Sequence, residues 1–143
     1  MILHYNDTIA IPLSSDDLIE ERVSALIGRA SRRQLWFLFL DANDAQLPLI
    51  MPLTDPPITP DCLEPLARII EQVMNEENAQ SVVVVIERCA DETFSQSDRL
   101  WARAISQQFQ QSKIAVRCVM ISHCRGVRWF ATDDYAFERV TDG

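Results

Sequence analysis

The chain has 143 residues, 48% of them apolar, and a net charge of −8. That is the size of one ordinary domain, able to bury roughly two thirds of the surface its unfolded chain exposes. No segment has the ~18 consecutive apolar residues of a membrane helix. The 13 basic residues, 12 of them Arg, are scattered among 21 acidic ones and do not cluster as a phosphate-binding surface requires.

The N-terminal stretch carries two short apolar pieces, 2–5 and 9–13, around the turn signal Asn6-Asp7, and predicts an edge hairpin over 1–13. It lacks a basic n-region followed by an apolar h-region, so the expected location is the cytoplasm. Ser14 with Asp17 three positions on reads as a capping box. Leu18, Ile19, Val23, Leu26 and Ile27 follow at helical spacing, so a first helix is expected over 16–30. Asp16, Asp17 and Glu20 open it and Arg29, Arg32 and Arg33 close it, the polarity a helix macrodipole favours.

Residues 34–40, QLWFLFL, are a continuous apolar run closed by Asp41-Ala42-Asn43-Asp44, whose side chains suit a turn. The run 47–53 returns as its antiparallel partner. Pro48 and Pro52 lack an amide donor and place this strand at an edge. A proline-rich bend over 54–60 leads to Thr59 as N-cap and Pro60 at the first helical position. The stripe Leu63, Leu66, Ala67, Ile70, Val73 and Met74 then predicts a helix over 60–77.

Val82 to Ile86 are five consecutive β-branched residues without polar alternation, the pattern of a strand buried on both faces at the centre of a sheet. Ligands in α/β sheets bind beyond the carboxyl ends of strands. Here that end carries Glu87, Arg88, Cys89, Asp91 and Glu92. Ser95 with Asp98, or Ser97, caps a third helix containing Leu100, Trp101, Ala104, Ile105 and Phe109 and ending near Gln111. A strand over 114–121, a turn over 123–126 and a strand over 127–131 complete the order, with an acidic tail from Thr132 that packs only partly. The expected fold is a single-domain, three-layer mixed α/β sheet in the order α-β-β-α-β-α-β-β, with two parallel strand-helix-strand crossovers flanked by antiparallel hairpins.

Cysteines at 62, 89, 118 and 124 show no CxxC pairing and are expected as buried thiols rather than disulfides. Cys89, Cys118, His123 and Cys124 lack zinc-ligand spacing, since the one close pair, His123-Cys124, would face opposite ways in a strand. The three glycines form no phosphate loop, the two histidines stand in no nucleophile constellation, and no deaminase motif is present. Neither metal nor cofactor is expected.

The order of parts from about 34 to 130, with the polar strand end followed by Ser95-Gln96-Ser97-Asp98 at a helix start, resembles the RadC-like branch of the JAB/JAMM metallopeptidase family. Its motif is H-x-H-P, a short spacer and S-x-x-D. The aspartate pattern stands at Ser95 and Asp98, but the histidine positions fall near Glu87 or Cys89 in the sequence Ile86-Glu87-Arg88-Cys89. The resemblance therefore implies a JAB/JAMM-like fold with a degenerate site at Glu87, Cys89, Ser95 and Asp98. Such a site has no imidazole pair to hold a zinc-activated water. The phrases RRQLWFLFLDA, SDRLWARA and GVRWFATDDY also resemble a family of bacterial proteins of uncharacterised activity, which implies no reaction.

These readings converge on a non-catalytic protein-binding or scaffolding domain, with a metal-dependent or small-molecule hydrolase rearranged around residues 87–98 as the alternative. The expected partner is a protein or a second copy held at an edge strand, not nucleic acid and not a membrane. The candidate interface is Leu49, Ile50 and Met51 in one hairpin, then Arg128 and Trp129 in the other, because an uncovered apolar edge invites pairing and Arg and Trp concentrate interface energy.

Overall fold

The computed structural model describes residues 12–131 and Asp134. The expected N-terminal hairpin and acidic tail therefore lie largely outside the described residues. In chain order the elements are α1 (Asp16–Leu26), β1 (Gln34–Leu40), β2 (Gln46–Thr54), α2 (Glu64–Glu77), β3 (Ser81–Glu87), α3 (Gln96–Gln111), β4 (Val116–His123) and β5 (Gly126–Phe130). The five strands form one mixed sheet in the spatial order β2-β1-β3-β4-β5, so the β-branched strand is central. The β1–β2, β1–β3 and β4–β5 pairs are antiparallel, and β3–β4 is parallel. β2 thus runs parallel to β3 with β1 between them.

Alternation along the strands divides the core into two layers. Leu35, Phe37, Phe39, Val82, Val84, Ile86, Val119 and Ile121 pack with α2 and α3. Leu38, Leu40, Val83, Val85 and Met120 face Ile19 and Val23 of α1. A strand covered on both faces shows no hydrophobic alternation, which is why β3 reads as an unbroken β-branched run. Both crossovers, β2-α2-β3 and β3-α3-β4, move the same way across the sheet and place their helices on the same face, so they have the same hand.

Two helix boundaries differ from expectation. α1 stops at Leu26 rather than 30, because Gly28 takes φ +63°, and Ile27 and Gly28 both donate to the Val23 carbonyl. A Cβ at Gly28 would sit 3.2 Å from the Ser24 carbonyl oxygen. Arg29, Arg32 and Arg33 consequently belong to the following loop, not to a basic last turn. Its N-cap is Ser15, not Ser14, with the hydroxyl accepting from the Leu18 amide. α2 starts at Glu64 rather than 60, with Leu63 as an N-cap that gives no side-chain bond. A helix from residue 60 would carry Pro65 in its second turn, where the missing amide costs a bond; starting at Glu64 keeps Pro65 in the first turn. Thr59 and Pro60 remain in the bend. That bend is tied to α3, since the Trp101 indole donates to the Pro57 carbonyl at 2.8 Å and the Ser97 hydroxyl donates to that of Ile58.

Leu49 is 4% and Ile50 1% exposed, so the side chains of these two expected interface residues pack into the two core layers. Met51 is half-buried against the α2/α3 core. No described helix is long and apolar enough to cross a membrane.

Candidate functional site

The carboxyl end of β3 is where adjacent residues diverge. Glu87 continues the side-chain parity of Val83 and Val85 and points to the α1 layer; Arg88 continues that of Val84 and Ile86 and points to the α3 layer. Both are buried.

On the α3 side, Arg88 meets Asp98 in the first turn of α3. Its Nε donates to both carboxylate oxygens at 3.1 and 3.0 Å and its Nη2 to one of them at 2.9 Å. The rest of the guanidinium ties down the loop, with Nη1 donating to the Asp91 carbonyl at 2.6 Å and Nη2 to that of Thr93 at 2.8 Å. Asp98 also closes the capping box: it accepts from the Ser95 amide at 2.8 Å while the Ser95 hydroxyl accepts from the Asp98 amide at 3.0 Å. One carboxylate therefore receives the guanidinium and caps the helix together. With side-chain exposures of 7% and 1%, the Arg88–Asp98 pair is sealed from solvent.

Beside it, Phe94 is sandwiched. The Phe130 ring stacks on it with centroids 4.1 Å apart, and the Arg128 guanidinium lies 4.1 Å from its centroid and donates to the Glu92 carbonyl. Arg128 is thus exposed but anchored, and Trp129 is half-buried. His123 ends β4 nearby, with Nδ1 accepting from the Arg125 amide at 3.2 Å. Burial pushes its pKa below the ordinary value; Glu92 opposes this, and the Arg88, Arg128 and Arg125 charges add to it.

On the α1 side, Glu87 accepts four hydrogen bonds, none from a cation. Its Oε2 takes the Ser31 amide at 2.7 Å, the Ser31 hydroxyl at 3.3 Å and the Arg32 amide at 3.2 Å, and its Oε1 takes the Trp36 indole N–H at 2.9 Å. Gly28 makes this possible by turning the chain out of α1 so that Ser31 and Arg32 cross the sheet end. The Ser122 hydroxyl donating to the Gly28 carbonyl at 2.6 Å, and the Ala30 amide donating to the His123 carbonyl, pin the loop there. Strand register places Thr54, Gln34, Glu87 and Ser122 side by side in one row across four strands, a polar row at the end of an apolar face.

Of the expected site residues, Ser95 and Asp98 come together, and Arg88 rather than Glu87 or Cys89 joins them. Glu87 faces the other layer, and Cys89 is exposed on a bend. Cys62, Cys89 and Cys124 are exposed free thiols, which corrects the expectation that they are buried. Cys118 is half-buried, and desolvation pushes its thiol up to about 12. Among the described residues no group of three or more His, Cys, Asp and Glu side chains could hold a metal ion. Reading the sequence missed Gln34, Ser122 and Trp36. Gln34 and Ser122 stand in register with Glu87, and Trp36 lies two residues further along β1; the one hint in the sequence is a polar residue at the start of one apolar run and another at the end of a later one. The chain matches no protein-family model and no curated protein.

Proposed function

We propose that this chain is a non-catalytic protein-binding or scaffolding domain whose polar strand end at residues 87–98 serves the fold rather than a reaction. The observation that carries this reading is the saturation of Arg88 and Asp98 by each other, by two loop carbonyls and by a helix cap. A carboxylate so engaged is not free to ligate a metal or move a proton. On this reading the resemblance to the RadC-like JAB/JAMM branch is to a degenerate member, in which the aspartate of S-x-x-D holds a guanidinium from its own chain. Exposed free thiols suit a reducing compartment, which supports a cytoplasmic location.

For the partner, the β5 edge is better supported than β2. Pro48 and Pro52 remove donors from β2 and its Leu49 and Ile50 are buried, whereas β5 contains no proline and presents the anchored Arg128. Pairing there, by a protein or a second copy, adds a strand to the sheet. The test is elemental analysis of untagged protein with a peptide and isopeptide cleavage assay, alongside light scattering and partner recovery from cell extract. The expected result is no stoichiometric zinc, no cleavage, and association that Trp129→Pro abolishes. About one zinc per chain, lost together with a cleavage activity on Asp98→Asn, would overturn the non-catalytic reading. A strict monomer whose recovered partners are unaffected by Trp129→Pro would overturn the edge.

A further inference from the structure

The α1 face of the sheet end opens into a cleft of ≈ 320 Å³. Leu26, Ile27, Pro52 and the Trp36 ring form its apolar wall, Gln34 and Glu87 supply polar atoms, and Arg32 lies at the exposed rim.

Two features of this cleft are left open by the fold. Gln34 is only 3% exposed and its side-chain amide makes no hydrogen bond among the described residues; the buried side-chain atoms without a partner are Gln46 Nε2 and Arg99 Nε, so the Gln34 amide opens to the cleft. Glu87 is also 3% exposed, and its carboxylate is held by neutral donors alone, with no ion pair among the described residues. Buried charges are ordinarily paired, and an amide that faces a cleft without a partner in the chain is free to bond what enters it. The Oε1 of Glu87 accepts only the Trp36 indole N–H, so it retains acceptor capacity, and the Gln34 carbonyl oxygen has all of its own.

We infer that this cleft binds a primary ammonium group carried on a short apolar stem. The three N–H donors of the ammonium match Glu87 Oε1 and the Gln34 oxygen, the Trp36 ring adds cation–π attraction, and the stem packs on Leu26, Ile27 and Pro52. The net charge of −8 favours approach of a cation. Arg32 opposes it as a like charge at the rim. The ammonium comes either from a free alkylamine or from a lysine side chain of another protein, and binding does not depend on the edge-strand reading above.

The test titrates the full chain with butylammonium, with an N-acetyl, N′-methylamide lysine derivative and with butyrate. It follows the Trp36 indole N–H resonance, identified by its loss in Trp36→Phe. Either amine is expected to move this resonance and butyrate to leave it still. Gln34→Leu is expected to weaken binding about tenfold, the scale of one buried hydrogen bond. Arg32→Ala, at an exposed position that does not endanger folding, is expected to tighten it about threefold, the scale of one exposed like charge. Tighter binding of the lysine derivative assigns a protein side chain, and equal or tighter binding of butylammonium assigns a free amine. The inference is overturned if neither amine moves the resonance, or if butyrate does and Arg32→Ala weakens it.

Discussion

Two neighbouring residues of one strand lead into opposite environments. Arg88 enters a sealed network in which donors and acceptors are matched within the chain, while Glu87 enters a solvent-accessible cleft where it meets only neutral donors and an unpartnered amide. Both sit at the carboxyl end of a central strand, the position at which α/β sheets bind ligands. The difference teaches that position alone does not make a site: saturation decides. A polar cluster whose members satisfy one another stabilises the fold, and one with unmet bonding capacity is where a ligand adds something.

The largest expected effect is on the sealed side. Asp98→Ala leaves the Arg88 guanidinium buried without its counter-ion and uncaps α3, and is expected to lower unfolding free energy by about 3–5 kcal/mol in urea titration. The paired replacement Arg88→Met with Asp98→Leu removes both charges and is expected to cost less than Asp98→Ala alone. If the double variant is the less stable, the network is not the self-contained unit described.

On the open side, Glu87→Ala strands the Ser31 and Arg32 amides and the Trp36 indole, but water in the cleft can reach them. The expected loss is about 1–3 kcal/mol, smaller than for Asp98→Ala. A larger loss would mean that the cleft side is as closed as the other.

Ser95→Ala removes one arm of the capping box and leaves the ion pair, for an expected loss of about 1 kcal/mol. The smallest effect concerns His123. Its folded pKa lies below the ordinary 6.5, so the folded state binds fewer protons than the unfolded chain as pH falls. The stabilisation is therefore present above pH 6.5 and is lost as pH drops through the folded pKa. Stability measured from pH 7 to 5 should fall less steeply in His123→Gln than in the unaltered chain; identical slopes would contradict this.

The mixed α/β class and the central strand were legible because their signals are local: unbroken β-branched residues at 82–86, turn residues after 40, and Ser95 with Asp98 at a helix start. The α2 boundary was missed because Pro60 and Pro65 both suit a first turn, and only the longer view shows that one helix cannot carry both there. The sequence pattern sets Asp98 in a degenerate JAB/JAMM-like site and Arg88 only in the polar strand end, because nothing local says which way residue 88 turns. The row Thr54, Gln34, Glu87 and Ser122 depends on register between segments far apart in sequence. Periodicity within one strand does not carry that information.

The Arg88 side is closed and the Glu87 side open, and one NMR experiment reads both. The Arg88 Nε–H and Trp36 Nε1–H resonances are followed in the same sample through additions of butylammonium and then zinc. Trp36 is expected to move with the amine while Arg88 stays unchanged under both. Movement or broadening of the Arg88 resonance with zinc, while Trp36 remains still with the amine, would contradict it.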